Sequence, residues 1–534
     1  MHSLTSTRVR RVRYAVVGVV VGLLAVSGAA CSFLLDRSTT ECQVDSDCLG
    51  FAVHPSCQSG VCVNTGIPCY PGVPDSSADF LNQCSTGECL QFDNCVRLGV
   101  CGDDGPSLVD PPPPDASTAA ATSASQTVPN CASLPAGQGG TVYVTGSSNF
   151  PVPLLVNVAP LVITGVPPLG PGPAIVWLTS SSCQGADAIF SPDAAANIIH
   201  DPPRNSALSS YAQYYLADGG TIACSLGDAG TSVDIGESDV FSTTCNPSYT
   251  IVNQSDTLGP IQAMEFVVPA TSTQNTISQE AAREVFGTGG NDGGAAPWTN
   301  PQRYYVRNKN TGTQQMIGDA IGVPPGEFWG IDRGSASNVL LDLQSIASNT
   351  VEADQAIGIL SDDVYDSNRL NLRALAYQAA GQNCAYLPDS MNAQGVQTYD
   401  KQNVRDGHYP IWGPIHFFTS NQPSMQVLSF LAYFSGAQVT PAILDGFIDA
   451  FLIPNCAMTV VHSQNEELSA LASFQPEHSC ECYYLSEAQP PPPPPDAGVP
   501  AATTPLPADC RVCATAADCP PSRPACNFGF CEVQ

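Results

Sequence analysis

Twenty-three cysteines fall into three groups cut apart by two proline tracts, and this layout constrains the chain more than any other feature. Nine lie between residues 42 and 101, eight between 131 and 482, and five between 510 and 531, with Cys31 alone near the N-terminus. Residues 105–130 hold Pro111 to Pro114 and an Ala/Ser/Thr run; residues 489–509 hold Pro490 to Pro495 and an Ala/Thr/Pro run. Tracts of this kind are extended, semi-rigid spacers. The sequence therefore predicts a central block at 131–488 between a Cys-rich module within 31–104 and a second at 510–534. The two clusters are related. Cys42-x5-Cys48-x8-Cys57-x4-Cys62 matches Cys513-x5-Cys519-x6-Cys526-x4-Cys531, and each closes on C-x-x-G-x-C with Gly60 or Gly529. Units this short cannot bury a useful core, so bridges must hold them. His54 is the one histidine there, which argues against zinc. Both terminal groups are odd in number, so full pairing requires at least one bridge leaving each; the connectivity itself stays open.

Bridges persist in an oxidising compartment, and the N-terminus points to one. Arg8, Arg10, Arg11 and Arg13 precede the uncharged apolar run Tyr14 to Ala30, so residues 1–30 read as an export signal. Ser27-Gly28-Ala29-Ala30-Cys31 resembles a bacterial lipobox, with Gly28 where Leu is usual. The resemblance implies that Cys31 is a lipid-attachment site and that the protein is held at a membrane surface of the cell envelope. The other reading is an ordinary signal or anchoring helix with an incidental cysteine. The net charge of −30, with only Lys309 and Lys401 as lysines, leaves no basic stripe for a phosphate backbone and excludes nucleic-acid binding.

The central block alternates short β runs with helical segments. Thr141–Thr145, Ala174–Leu178, Gln262–Val268, Arg303–Arg307 and Ala356–Leu360 read as buried strands. Helices are predicted over 277–286, 313–321 and 338–347, and Thr440-Pro441 opens another running to about Leu452. Such alternation predicts α/β layers with largely parallel sheets, in which ligands sit where strands end and helices begin.

Three such corners carry hydroxyls and glycines: Gly146-Ser-Ser-Asn149-Phe150-Pro151, Thr179-Ser-Ser-Ser182-Cys-Gln-Gly185, and Arg307-Asn-Lys-Asn-Thr311-Gly312-Thr313. The last is an oxyanion cradle in outline, with helix N–H groups, a glycine for close backbone approach and an arginine at the rim. Together with Asp234-Ile-Gly-Glu-Ser238-Asp239, these strings resemble, across about 270 residues, the phosphate-specific solute-binding proteins of ABC importers. Looser matches are Ser278 to Gly287 with Trp298, Ala356-Ile-Gly358 and Tyr409-Pro-Ile411.

The resemblance implies a two-lobed type II periplasmic-binding-protein fold (α/β, with a hinge) flanked by small disulfide-rich modules. Lobe 1 would be about 131–268 and 409–488, and lobe 2 about 269–408. It implies that Asn149, Ser182, Thr311 and Thr313 donate side-chain hydrogen bonds to inorganic phosphate, that Phe150 and Gly312 donate backbone N–H groups, and that Arg307 supplies the charge. Asp239 would accept a hydrogen that phosphate carries and sulfate lacks. The implied protein is a monomer without cofactor or metal, with an ABC importer permease as its partner. A surface interaction or adhesion lipoprotein that keeps this fold without transport is the alternative.

No nucleophile elbow, H-E-x-x-H or Walker string is present, so no enzyme is expected. The pairs Asp362-Asp363 and Glu466-Glu467 read as solvated faces, and His200, His408, His416, His462 and His478 show no ligand spacing.

Overall fold

Runs such as Thr141–Gly146, Ala174–Thr179 and Ile357–Ser361 are apolar, rich in β-branched residues and too short for stable helices, and each forms a largely buried strand. The computed structural model describes residues 56–58, 61–63 and 69–533, apart from 86, 93, 99–127, 151–153, 204–205, 291–294, 347–349, 393–394, 437, 463–465 and 490–505. Cys31, the segment 1–30 expected to be an export signal and most of both proline tracts therefore lie outside the described residues.

Eleven strands make one sheet. They are β1 (Thr141–Gly146), β2 (Ala174–Thr179), β3 (Ala212–Tyr215), β4 (Thr221–Cys224), β5 (Ile235–Ser238), β6 (Gln254–Pro269), β7 (Tyr304–Val306), β8 (Ile331–Asp332), β9 (Ile357–Ser361), β10 (Leu372–Ala374) and β11 (Trp412–Ser420). The order is β8-β7-β9-β6-β11-β5-β1-β2-β3-β4, with β10 also on β6. Within one half, β5, β1 and β2 run parallel; within the other, β9, β7 and β8 do. The joining strands β6 and β11 are antiparallel, in register from Gln254↔Ser420 to Ala263↔Trp412 with a bulge between Leu258 and Ile261. The expectation of largely parallel sheets thus holds only for these two three-stranded runs, because β3 and β4 at the edge and β6, β10 and β11 at the centre all pair antiparallel. A chain that leaves one half and returns to it must cross in opposite directions.

The helices that matter below are α1 (Val156–Thr164), α2 (Ser182–Phe190), α3 (Gln279–Thr288), α4 (Gly312–Ile321), α5 (Ala336–Ser345), α6 (Asp362–Asp366), α7 (Pro441–Ile448) and α8 (Glu481–Glu487). Local chemistry sets their ends. Ser278 accepts from the Ala281 N–H at the start of α3, and Gly289, at φ 73°, closes it. Thr440 caps α7 as its sequence predicts, but the helix stops at Ile448, short of Leu452. One half packs around Trp177, Phe150, Phe417, Phe430 and Phe434; the other around Phe266, Phe286, Trp298, Tyr304 and Tyr377. Helix α2 lies on β5 backbone to backbone: a Cβ on Gly185 would sit 2.0 Å from the Glu237 carbonyl oxygen, so only glycine fits.

The cysteine modules depart from the predicted spacing. The chain divides into two compact units, one of residues 1–67 and 101–104, the other of 68–100 and 105–534. The described part of the first is a hairpin pairing Ser56–Gln58 with Val61–Val63, Cys57 opposite Cys62. Residues 68–100, expected in a separate module, belong to the larger unit through Cys89–Cys384. Residues 510–533 belong there too, through Cys482–Cys510. These are the two outgoing bridges that the odd counts require. The C-terminal hairpin sets Cys526 opposite Cys531 as Cys57 stands opposite Cys62, so the sequence repeat is a repeat of backbone pairing.

Burial also ties the C-terminal module to the body. Glu532 accepts from the Tyr483 N–H at 3.1 Å and from Ser479 Oγ at 3.2 Å, and burial beside Glu481 pushes its pKa up to about 7. An acid held above its unfolded value contributes stability below that value and loses it as pH rises through the folded one. Stability should therefore fall by about 3 kcal/mol between pH 4.5 and pH 8 through this group alone. Thermal unfolding at both pH values, with Glu532→Gln as the variant that flattens the difference, checks it.

Candidate anion-binding site

Four strand ends deliver the proposed ligand residues to one place. The loop after β1 brings Ser147, Ser148, Asn149 and Phe150; the start of α2 brings Ser182; the end of β5 brings Asp239; the turn from β7 into α4 brings Arg307, Thr311, Gly312 and Thr313. Asn149, Phe150, Ser182, Asp239, Arg307, Thr311 and Thr313 are all buried, none more than 6% exposed. The Phe150 ring pins its loop, 5.0 Å from Trp177 and 5.5 Å from Phe417. Burying such a ring stabilises by about 1.5–3 kcal/mol. Pro151 lies outside the described residues.

Asp239 is the centre of the cluster. Its Oδ2 accepts from Ser147 Oγ at 2.6 Å, Ser182 Oγ at 3.1 Å and Asn149 Nδ2 at 3.3 Å. Its Oδ1 is buried without a hydrogen-bond partner among the described residues. Ser182 Oγ also accepts the Gly312 N–H at 2.8 Å, which places the Asp239 carboxyl at the N-terminus of α4, where the helix dipole favours an oxyanion. Gly312 is needed here, since a Cβ would meet the Asp239 Cβ at 2.4 Å and Ser182 Oγ at 2.7 Å.

Arg307 Nη2 donates to Ser148 Oγ at 2.9 Å and Nη1 to Asn149 Oδ1 at 3.4 Å, while its Nε has no hydrogen-bond partner among the described residues. Burial lowers its pKa to about 10, opposed by the nearby charges of Asp239, Asp363 and Asp332, so it stays a cation. Burial raises Asp239, opposed by the Ser147 and Ser182 hydroxyls and by Arg307. Asn149 Nδ2 lies 3.2 Å from Thr313 Oγ1. Thr311 is turned elsewhere, donating to the Asn308 carbonyl at 2.7 Å. The Cys183–Cys245 bridge fastens α2, directly beside Ser182, to the helical turn Ser242–Cys245 that follows Asp239.

Three residues of the cluster escape sequence reasoning. Ser147 stands inside a quoted corner, and its hydroxyl would have been the signal. Glu237 occupies an unspecified position of the Asp-x-Gly-x-Ser-Asp string; it is fully buried, and its Oε2 takes the Ser147 N–H at 2.6 Å. Asp363 is a correction: Asp362 and Asp363, expected to be solvated, are both buried. Gln262 Nε2 donates to Asp363 at 2.9 Å, and burial pushes that acid up to about 7. Glu467 of the other pair is buried too, accepting from the Phe241 N–H and the Thr244 hydroxyl. Cys513, Cys519 and Cys531 converge like metal ligands, but their sulfurs are in the bridges Cys513–Cys526 and Cys519–Cys531.

No protein-family model matches the chain, and no curated protein sequence matches it significantly. Solved structures resemble its fold at low identity. A phosphate-bound substrate-binding protein of a phosphate ABC transporter from Clostridium perfringens is 13% identical over 59% of this chain and 99% of its own, with a TM-score of 0.36. PfluDING, a periplasmic phosphate-binding protein, is 12% identical over 59% and 90%, with a TM-score of 0.36. An OxyR variant from Corynebacterium glutamicum is 9% identical over 58% and 66%, with a TM-score of 0.31.

Proposed function

We propose that this chain is an extracytoplasmic solute-binding protein that captures inorganic phosphate at the Asp239–Arg307 cluster. The observation that carries the reading is the state of Asp239. One oxygen is held by three donors at a helix N-terminus, the other is free, and a cation lies close by. A carboxyl fixed in this way accepts a hydrogen from a protonated oxyanion and repels one without a hydrogen to give.

Asn149, Ser182 and Thr313 are then the side-chain donors, Phe150 and Gly312 the backbone donors and Arg307 the charge; to join them Thr311 would have to turn from Asn308, Ser182 from Asp239 and the Gly312 N–H from Ser182. The two half-sheets act as the lobes, about 131–268 with 409–488 and 269–408, hinged on β6 and β11. Lipid attachment at Cys31 and delivery to an importer permease belong to the same reading.

Calorimetric titration of the mature chain with phosphate and with sulfate tests it. Phosphate should bind and sulfate should give no heat, and Arg307→Ala should weaken phosphate by at least about a hundredfold, the cost of losing a buried charge-assisted contact. No heat with either anion sinks the proposal and favours the surface-interaction alternative.

A further inference from the structure

We propose that the cradle takes phosphate in its singly charged, doubly protonated form, and that Glu237 is the residue that sets this preference; the inference rests on the phosphate reading above. The argument begins with a count of charges. Arg307 is the one guanidinium or ammonium that the charge interactions of the described residues bring to Asp239; His416 also feels the Asp239 charge, and three buried acids share the surroundings: Asp239 and Glu237 from the end of β5, and Asp363 from α6. The other charged groups packed nearby are already engaged. His416 on β11 is paired with Asp256 at 2.8 Å, Asp234 at the start of β5 accepts the Tyr143 N–H at 2.9 Å, and Glu467 caps Phe241.

Glu237 cannot withdraw from the site. Its carboxyl lies against the end of β1, where a Cβ on Gly146 would be 2.4 Å from Oε2. Ser147 joins the two carboxyls, giving its N–H to Glu237 and its hydroxyl to Asp239. Each acid keeps one buried oxygen, Glu237 Oε1 and Asp239 Oδ1, with no hydrogen-bond partner among the described residues. Burial, reinforced by the Asp239 charge, holds Glu237 well above the usual carboxylate range.

A buried site tolerates little net charge. Below neutrality, with the Arg307 and Asp239 charges cancelling and Glu237 and Asp363 protonated, a phosphate monoanion leaves one net negative charge where a dianion would leave two, and one of its hydroxyls gives its hydrogen to Asp239. Raising the pH removes a proton from the ligand near neutrality and favours ionisation of Glu237, and both changes add negative charge. Affinity should therefore fall as pH rises.

Titrating the mature chain with inorganic phosphate at pH 5.5, 7 and 8.5 tests the sign, with Glu237→Gln beside it as a permanent mimic of the protonated acid. The wild type should lose about a hundredfold in affinity across that range, and Glu237→Gln should lose about tenfold less. Repeating the wild-type titration at pH 8 in two buffers of different ionisation heat counts protons without any variant, and about one should be taken up per phosphate bound. Affinity that is flat or rises with pH, zero proton uptake, or a Glu237→Gln profile superimposable on the wild type overturns this inference while leaving phosphate capture standing. Absence of phosphate heat at every pH overturns both.

Discussion

Replacing Lys401 by methionine should cost the protein about 3–5 kcal/mol of unfolding free energy, because it breaks a buried charge network on one side only. Lys401 is one of two lysines in a chain with 48 acidic residues, and it is 1% exposed. Its Nζ lies 2.5 Å from Asp366 Oδ2, 3.3 Å from Asp389 Oδ2 and 3.6 Å from Asp362 Oδ2. Arg369 shares Asp366 at 2.6 Å and Asp389 at 2.7 Å, with its guanidinium 3.7 Å from the centre of the Tyr399 ring. Burial keeps Asp362 and the neighbouring Glu265 well above the usual carboxylate range. Two cations thus face the carboxyls of Asp366 and Asp389, the latter held below its usual range by Lys401 and Arg369 against its burial. Methionine fills the space of the lysine stem but leaves a carboxylate stranded in a low dielectric. The backbone at residue 401, at φ 47°, is equally strained with either side chain and drops out of the comparison. Urea unfolding at pH 7 measures the loss, and adding Asp389→Asn should recover part of it, since the two sites share partners. A loss below about 1 kcal/mol would mean that water reaches the network, and the reading of a dry ion cluster would be wrong.

The same network shows where the sequence stops being legible. Strands such as Thr141–Gly146 and Ile357–Ser361 are visible because their apolar runs and flanking breakers are local, and so are the Ser278 and Thr440 caps. The acids of α6 are not. Asp362-Asp363 reads as a solvated pair in isolation, yet it leaves the end of the fully buried strand β9 and is carried inward by it. The groups that make this tolerable, Lys401 for one acid and Gln262 for the other, come from distant parts of the chain. Interior charge is decided by such long-range pairings, and no periodicity encodes them.

The candidate site was legible to a different degree. Its corners follow from hydroxyls and glycines at strand ends, and the family resemblance singled out Asp239 and Arg307 with their donors. The resemblance left Glu237 as a wild-card position, although its carboxyl is bonded to the same serine that bonds Asp239. Nor did it show that Thr311 turns toward Asn308, a turn preference that competes with any ligand role. What the pattern conveys is which residues share a corner; which way each side chain points depends on the neighbours it finds there.

Removing the Cys89–Cys384 bridge by Cys89→Ser together with Cys384→Ser should cost about 3–5 kcal/mol and should act on the whole protein. The bridge closes 295 residues of chain, so in the loop-entropy account its loss frees the unfolded state more than the loss of any short bridge would. It also fastens residues 69–98 to the body, but not alone. Leu90 and Ala385 exchange backbone hydrogen bonds at 3.0 and 2.7 Å, and the Asn383 N–H donates to Asn82 Oδ1 at 2.7 Å. Gln382 Nε2 donates to the Leu81 carbonyl at 3.0 Å, and the rings of Phe80 and Phe92 are buried in the main core. These contacts survive the substitution, so the segment should stay docked in the native state while opening more often. Two measurements separate the effects. Denaturant unfolding should show the global loss, and amide exchange should show residues 80–92 and 381–386 falling below the protection of β6 and β11. Full release of the segment would mean that the bridge alone holds it. An unchanged unfolding free energy would mean that the unfolded chain already keeps these two regions together, and the entropic account of this bridge would fail.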